Sequence, residues 1–554
     1  MKTDKGDGIG IMIGADAIVK CLEAEGVEYV FGYPGVAICP FYNSILDSDI
    51  RTILIRTEQN AAHAASGLAR VSGKVGVCAV TSGPGATNVI TGIATAFADS
   101  IPLVCITGQV NSELIGSDVF QEADITGAVE SFVKYSYLIK NVNDIPKAFK
   151  EAFHIANTGR KGPVLIDIPI DIQNAPLSKF HYPEEVNMRT YKPTVRGNMA
   201  QIKKVVKELE KAKRPIICAG GGVQLSGGVE VLRAFSEKYQ IPVVSTMMGI
   251  GVMPTRHPLY YGMVGNNGKP CANRAMNESD LLLMVGARVA DRAVSQPDLI
   301  TNNKVLVHID VDPAEIGKNV GPHVPLVGDI KYIFEDLMEQ EIPCDHHHCA
   351  YAEWVKTLDG YRTQMEVKRN PNKDYVDPAR FITMLSDRMQ ENGIYVADVG
   401  QNQIWSCGYH IVRKGRFLTS GGMGTMGYSI PAAMGAKLAD KSRQVIAVCG
   451  DGSFQMSMME LATMRQHDIP VKIVVLKNNY LGMVREFQHY NYKDNYSVVD
   501  LSGSPDLEKL VSAYDMDFLR LSDMEHAEET IDAFLKEDKS MLLECIIDPM
   551  DLVK

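Results

Sequence analysis

Three stretches of this 554-residue chain repeat one skeleton: an apolar run, a glycine turn, a helix-like stretch, an Ile-Pro pair and a second apolar run. They are "VGVCAVTSGPGATNVITGIATAFADSIPLVCITG", "RPIICAGGGVQLSGGVEVLRAFSEKYQIPVVSTMMG" and "RQVIAVCGDGSFQMSMMELATMRQHDIPVKIVVLKN". Continuous β-branched runs suit strands buried on both faces, and a helical stretch between two of them returns the chain to a parallel neighbour. Each stretch therefore reads as a βαβ unit. Three units so far apart predict three α/β domains, each a doubly wound, mainly parallel sheet with ligands at the carboxyl ends of its strands. The pattern lapses where proline and charge accumulate, first in "KFHYPEEVNMRTYKPTVRGN" and again between about Glu341 and Pro378. The expected domains are 10–185, 198–340 and 378–550.

Composition narrows the classes of function. At 45% hydrophobic and 22% charged the chain has ample material for cores. The net charge of -11 is spread without a basic stripe, which argues against nucleic acid or an anionic membrane as partner. No apolar run approaches the roughly 20 residues of a membrane span, and the first residues lack the apolar block of a secretory signal, so a cytoplasmic location is expected. The 11 scattered cysteines read as reduced, mostly buried thiols. "CDHHHCA", from Cys344 to Ala350, has ligand-type residues, but adjacent histidines converge poorly on one ion, and a solvated linker is the favoured reading.

The third repeat carries the most specific chemistry. A strand ends at Gly450, which places Asp451 in the following turn, and the next strand, "VKIVVLK", ends just before Asn478. An Asp carboxylate and an Asn carbonyl at neighbouring strand tips are hard oxygen ligands suited to Mg²⁺ or Ca²⁺, of which Mg²⁺ usually keeps waters and phosphate oxygens in its shell. Gly450, Gly452 and Ser453 let backbone approach a phosphate at a helix start. A tight turn and a strand terminus explain either motif alone; flanking one βαβ unit, they point to a metal-bridged diphosphate.

This spacing resembles the signature of thiamine-diphosphate-dependent enzymes, and the resemblance extends over nearly the whole chain. "FGYPG", "FQEADI", "GARVADR", "HIDVDPAEI" and "GMVREFQHYNYKDNYS" are similar to segments of the acetohydroxyacid synthase (acetolactate synthase) large catalytic subunits. The resemblance implies an N-terminal pyrimidine-binding domain, a central FAD-binding domain and a C-terminal diphosphate domain. It implies thiamine diphosphate, Mg²⁺ and FAD as cofactors. In that family pyruvate loses CO₂ on the thiamine and the remaining unit joins a second 2-keto acid, the first step of branched-chain amino acid biosynthesis. Another thiamine-dependent carboligase, lyase or oxidase is the alternative.

Roles then transfer position by position. Glu58, in "IRTEQNAAHAASG", matches the acid that hydrogen-bonds the aminopyrimidine and drives proton removal from the thiazolium. Pro34, Gly35, Ser82, Gly83 and Asn88 fall in the N-terminal cofactor motifs; Gly400, Gln401 and Asn402 fall in the diphosphate segment. Gly424 and Met426 match the loop whose apolar side chain wedges between the cofactor rings, with Met483 nearby. Tyr480 would add a backbone oxygen to Asp451 and Asn478 at the metal. Arg160, Gly221, Gly222, Gly265, Gly286, Arg288, Asp310 and Asp329 match FAD-binding segments. The substrate side comprises Val36, Ala37, Phe120, Gln121, Asp291, Arg292, Val484 and Phe487, with Arg292 suited to hold a carboxylate.

Departures from the family pattern fall mainly in the acceptor pocket: Ile170 replaces a lysine, Val36 a glycine and Phe487 a tryptophan that favours 2-ketobutyrate, while Asn402 stands for a histidine. Family clefts are built across subunits, so a homodimer or homotetramer is expected; whether a small regulatory subunit joins is left open.

Overall fold

A computed structural model of the chain describes residues 11–294, 300–342, 347–365 and 369–553. It divides into two compact units, Met1–Lys192 and Pro193–Lys554. The first holds one sheet of strands β1 (Tyr29–Tyr33), β2 (Arg51–Leu54), β3 (Gly76–Val80), β4 (Leu103–Gln109), β5 (Tyr135–Leu138) and β6 (Pro163–Pro169), in the order β2-β1-β3-β4-β6-β5. Every pairing in it is parallel. β3, β4 and β6 are buried along their whole length, as their unbroken apolar runs require.

The second unit holds two sheets. In one, β7 (Pro215–Ala219), β8 (Val243–Ser245), β9 (Tyr260–Met263), β10 (Leu281–Val285), β11 (Val305–Asp310) and β12 (Val324–Val327) run in the order β12-β11-β10-β7-β8-β9. In the other, β13 (Ile394–Ala397), β14 (Arg416–Leu418), β15 (Val445–Gly450), β16 (Lys472–Lys477), β17 (Asp517–Leu521) and β18 (Met541–Ile546) run in the order β14-β13-β15-β16-β18-β17. The first and third sheets thus share one winding. The middle sheet instead has the 3-2-1-4-5-6 pattern of dinucleotide folds.

Strand order decides where ligands can sit. Winding reverses direction between β1 and β3, between β7 and β10, and between β13 and β15. At such a reversal the flanking helices diverge to opposite faces and leave a crevice beyond the strand ends. Each glycine-rich turn singled out in the repeats opens at one of these three crevices.

The stretch after the second sheet is more ordered than its composition suggests. A helix spans His347–Gln364, and its Tyr351, Trp354 and Leu358 are buried. The i, i+3, i+7 spacing puts those three on one stripe. Tyr351 donates to the Leu209 carbonyl at 2.8 Å and Trp354 Nε1 to the Pro215 carbonyl at 3.1 Å, which ties the helix to the middle sheet. Cys344, Asp345 and His346 lie outside the described residues. The nine described cysteines form no disulfide, and all but Cys39 are buried. Among the described residues no helix is long and apolar enough to cross a membrane.

Candidate functional site

In the first unit the β1/β3 crevice gathers four segments. Thr57 is extended and the helix Glu58–Ser72 begins after it, ending at Gly73 in the left-handed conformation. Glu58 is half-buried at the helix start, where its charge also suits the helix dipole. Its Oε2 accepts a 3.0 Å hydrogen bond from Asn88 Nδ2. A Cβ on Gly85 would sit 3.4 Å from Glu58 Oε1 and 2.8 Å from Thr81 Cγ2. One on Gly35 would lie 2.5 Å from Thr81 Oγ1 and Cγ2, so glycine lets the 34–38 turn press on the tip of β3. Thr81 Oγ1 is buried without a hydrogen-bond partner. Gly83, at φ +56°, abuts Gln121, itself at φ +61°. Pro34, Gly35, Ser82, Gly83, Glu58, Asn88 and Gln121 therefore meet at one strand edge. Beside them Ala37 is buried, whereas Val36 and Phe120 are 74% and 88% exposed, apolar groups without packing.

Ile170 opens a short helix whose Asp171 accepts from Ser112 N at 2.8 Å and Ser112 Oγ at 2.6 Å, anchoring the loop after β4. Arg160 stands apart from this group: its Nε donates to Ser100 Oγ at 3.0 Å and its guanidinium lies over Phe97.

In the second unit the β13/β15 crevice is built around Asp451. Gly450 closes β15, and Asp451 begins a helical turn, Asp451–Gln455, rather than lying in a loose turn. Its Oδ2 accepts from Asn479 N at 2.7 Å and its Oδ1 from Gly452 N at 3.1 Å. Burial pushes the carboxyl up to about 6, against backbone hydrogen bonds that pull it down. Asn478, just past β16, accepts from Tyr480 N on Oδ1 at 2.9 Å and donates through Nδ2 to Gln401 Oε1 at 3.3 Å. Ser453 Oγ accepts from Gly450 N at 3.1 Å and closes the turn.

These donors fit a hard divalent cation. A carboxylate nearly out of water is met by backbone N–H groups, the nearby Lys477 ammonium being paired with Glu544 at 2.9 Å, and both Asp451 and Asn478 keep lone-pair capacity on oxygen. At the helix start a Cβ on Gly450 would meet nothing closer than Asn402 Oδ1 at 3.6 Å, whereas Gly452 packs on Leu481.

Across the crevice the loop carrying Met426 is clamped by Asp398, a buried carboxylate that no sequence signal singled out. It accepts from Val399 N at 2.8 Å, Gly427 N at 2.8 Å and Ser429 N at 2.7 Å; burial raises its pKa while these bonds oppose the rise. Gly424 and Gly427 have φ of +68° and +84°, a conformation strained for other residues. Met426 Cε lies 3.6 Å from where a Gly452 Cβ would be, so the side chain leans over the start of the Asp451 helix. Gly400, at φ +143°, opens the helix Gln401–Tyr409. Asn402 donates to the Asp398 carbonyl at 2.8 Å and to the Val448 carbonyl at 3.3 Å, which leaves its own oxygen toward Gly450. The helix Gly482–Tyr492 bears half-buried Met483, with Val484 and Phe487 exposed.

The β7/β10 crevice is also lined by close-packed glycines. A Cβ on Gly220 would collide with the Gly286 carbonyl, and one on Gly222 would lie 2.8 Å from Gly286 Cα; Gly221 packs on Met248. Gly265, at φ +110°, presses on the Arg292 carbonyl. Asp310 ends β11, where its Oδ1 accepts from Asp312 N at 2.9 Å, and Asp329 caps the helix Ile330–Met338 through Lys331 N at 2.9 Å. Arg288, Asp291 and Arg292 are exposed. The structure thus groups the turn glycines and leaves the two guanidinium groups and the Asp291 carboxylate exposed.

Family models match along the chain: the thiamine pyrophosphate enzyme N-terminal TPP binding domain over residues 12–128, the central domain over 202–337 and the C-terminal TPP binding domain over 398–545. The probable acetolactate synthase large subunit of Methanocaldococcus jannaschii is 43% identical, with 98% of this chain and 93% of the relative aligned. The acetolactate synthase large subunit of Lactococcus lactis is 40% identical over 98% of this chain and 93% of the relative. That of Haemophilus influenzae is 40% identical over 98% and 95%. Three parallel sheets, a glycine turn at each winding reversal and similarity over almost all of both chains lead to one assignment: the chain belongs to the thiamine pyrophosphate enzymes, in the branch of the acetolactate synthase large subunits.

Proposed function

We propose that the chain is a thiamine-diphosphate-dependent acetolactate synthase that decarboxylates pyruvate and joins the two-carbon unit to a second 2-keto acid, pyruvate or 2-ketobutyrate. The observation that carries this reading is the near full-length similarity to relatives of that name, reinforced by the Asp451–Asn478 oxygen pair. Thiamine diphosphate, when bound, would supply a carbon acid able to hold the electron pair left by departing CO₂.

The chain's own residues do the rest. Asp451, Asn478 and the Tyr480 carbonyl would hold Mg²⁺, and the start of the Asp451 helix would face the diphosphate. Glu58, steadied by Asn88, would exchange a proton with a ring nitrogen of the aminopyrimidine. Met426, fixed in place through Asp398, would press between the two rings. Arg292 would pair with the carboxylate of the second acid, its planar fork matching two oxygens. Val36, Phe120, Val484 and Phe487 are exposed apolar groups suited to excluding water once substrate is present, which prevents loss of the two-carbon unit as acetaldehyde.

We infer FAD for the middle sheet, supported by its dinucleotide-type strand order and by glycine turns at β7 and β10 whose backbones approach too closely for side chains. A homodimer or homotetramer is the inferred active form; sedimentation of the purified chain checks it. The deciding experiment is incubation with pyruvate, Mg²⁺ and thiamine diphosphate followed by product identification. Acetolactate is expected. Acetaldehyde alone, or reduction of bound flavin by pyruvate, would overturn the assignment in favour of a lyase or an oxidase.

A further inference from the structure

We propose that Glu486 and Gln401 are positioning residues that keep the Asn478 amide turned with its carbonyl oxygen toward the cation, and that the segment Asp548–Val553 completes this lock. The inference rests on Asp451 and Asn478 being the cation ligands. An asparagine offers a metal only its oxygen; a half-turn of the amide presents two N–H groups instead and removes the ligand. Here Asn478 Nδ2 donates to Gln401 Oε1 at 3.3 Å, which leaves Oδ1 on the side of Tyr480 N, 2.9 Å away.

Gln401 could turn as well, but both of its N–H groups are engaged. Nε2 donates to Glu486 Oε2 at 2.9 Å and to the Asp551 carbonyl at 3.1 Å. A turned Gln401 would set its oxygen against two others. Glu486 is a buried carboxylate and can only accept, so it fixes the polarity of both amides between itself and the ion. It also accepts from Val553 N at 3.0 Å, and Arg485, fully buried, donates to the Asp551 carbonyl at 3.3 Å. Gly482 permits the approach: a Cβ there would collide with Gln401 Oε1 and stand 2.8 Å from Asn478 Nδ2. Because the helix Gly482–Tyr492 bears Glu486 together with Met483 and Phe487, displacement of that helix or of the 548–553 segment releases a metal ligand.

The test measures Mn²⁺ uptake by the full chain at saturating thiamine diphosphate, reading free Mn²⁺ by electron paramagnetic resonance. Glu486→Ala is expected to weaken Mn²⁺ binding about tenfold, the value of one hydrogen bond to a charged group. Val553→Pro removes one N–H from Glu486 without touching the carboxylate, and is expected to weaken binding about threefold. In an Asn478→Asp background either carboxylate oxygen can ligate, and Gln401 Oε1, held toward position 478, would face an acceptor; freeing Gln401 should then alter affinity less than about twofold or improve it. Equal losses in the two backgrounds would overturn the lock in favour of general damage; no loss in the Asn478 background would overturn it outright. A wild-type chain that takes up neither Mn²⁺ nor thiamine diphosphate would overturn the cation site itself, a result distinct from both.

Discussion

Acidification should weaken the proposed cation site in a way set by one carboxyl group. Burial raises Asp451 from 3.8 to about 6 in the metal-free chain, and only the ionised form can ligate. With that midpoint about one tenth of the sites are ionised at pH 5 and nearly all at pH 7.5, so cation affinity should fall about tenfold, or about 1.4 kcal/mol. Mn²⁺ titration without thiamine diphosphate isolates the effect from the titration of the diphosphate, and calorimetry near pH 6 should register about half a proton released per ion bound. The same shift affects stability with a definite sign. Between 3.8 and about 6 the folded chain holds a proton that the unfolded chain has released, so metal-free stability is lost as pH rises through that window. The loss is about 3 kcal/mol once the group is ionised, and bound cation offsets it. Hence the cation-induced rise in melting temperature should be larger at pH 7.5 than at pH 5. Affinity flat to within about twofold across this range would refute the claim that a desolvated Asp451 is the ligand.

Three further outcomes follow from other positions in the three crevices. Glu58→Gln can still offer an oxygen to Asn88, so it should bind thiamine diphosphate with little loss while exchange of the thiazolium C2 proton, followed by NMR in D₂O, slows by about 10²- to 10⁴-fold. Phe487→Trp enlarges an exposed ring on the acceptor side and should shift product ratios in a pyruvate and 2-ketobutyrate competition about fivefold toward the latter, the worth of one added apolar contact. Gly222→Ala places a methyl 2.8 Å from Gly286 Cα, which forces the β7 and β10 turns apart; flavin absorbance in the purified chain should be lost while Mn²⁺ uptake at Asp451 persists.

The three-sheet plan was legible because buried parallel strands write unbroken apolar runs and the turns between them demand glycine. The meeting of Asp451 with the Asn478 segment was legible for a related reason: both residues lie within one βαβ unit, so their spacing along the chain reflects their spacing across adjacent strands. Contacts that join distant segments were not. Asp398 reads as one more acid after a strand, and its bonds to Gly427 and Ser429 depend on how a loop folds back some thirty residues on. Gln401 matched a phosphate-contacting position, yet its amide is engaged by Asn478, Glu486 and Asp551, partners 77, 85 and 150 positions further on. Strand order in the middle sheet was equally silent, since a βαβ unit fixes which strands are parallel but not on which side the next one adds. The Tyr351, Trp354 and Leu358 stripe, by contrast, was present in the sequence at helical spacing, masked by the charge around it.

The grip of Asp398 on Gly427 and Ser429 divides one loop into two parts with different freedom to evolve. At the grip the backbone is pinned by the N–H groups of Gly427 and Ser429, and Met426 inherits that fixity from its neighbour. Upstream, exposed Met423 can be replaced and so reshape the rim without dislodging the thioether, whereas Gly424, at φ +68°, and Gly421, whose Cβ would collide with Met248 Sδ, are held to glycine. Descendants of such a chain could therefore reshape the rim by drift at that one exposed position, leaving the pinned backbone untouched.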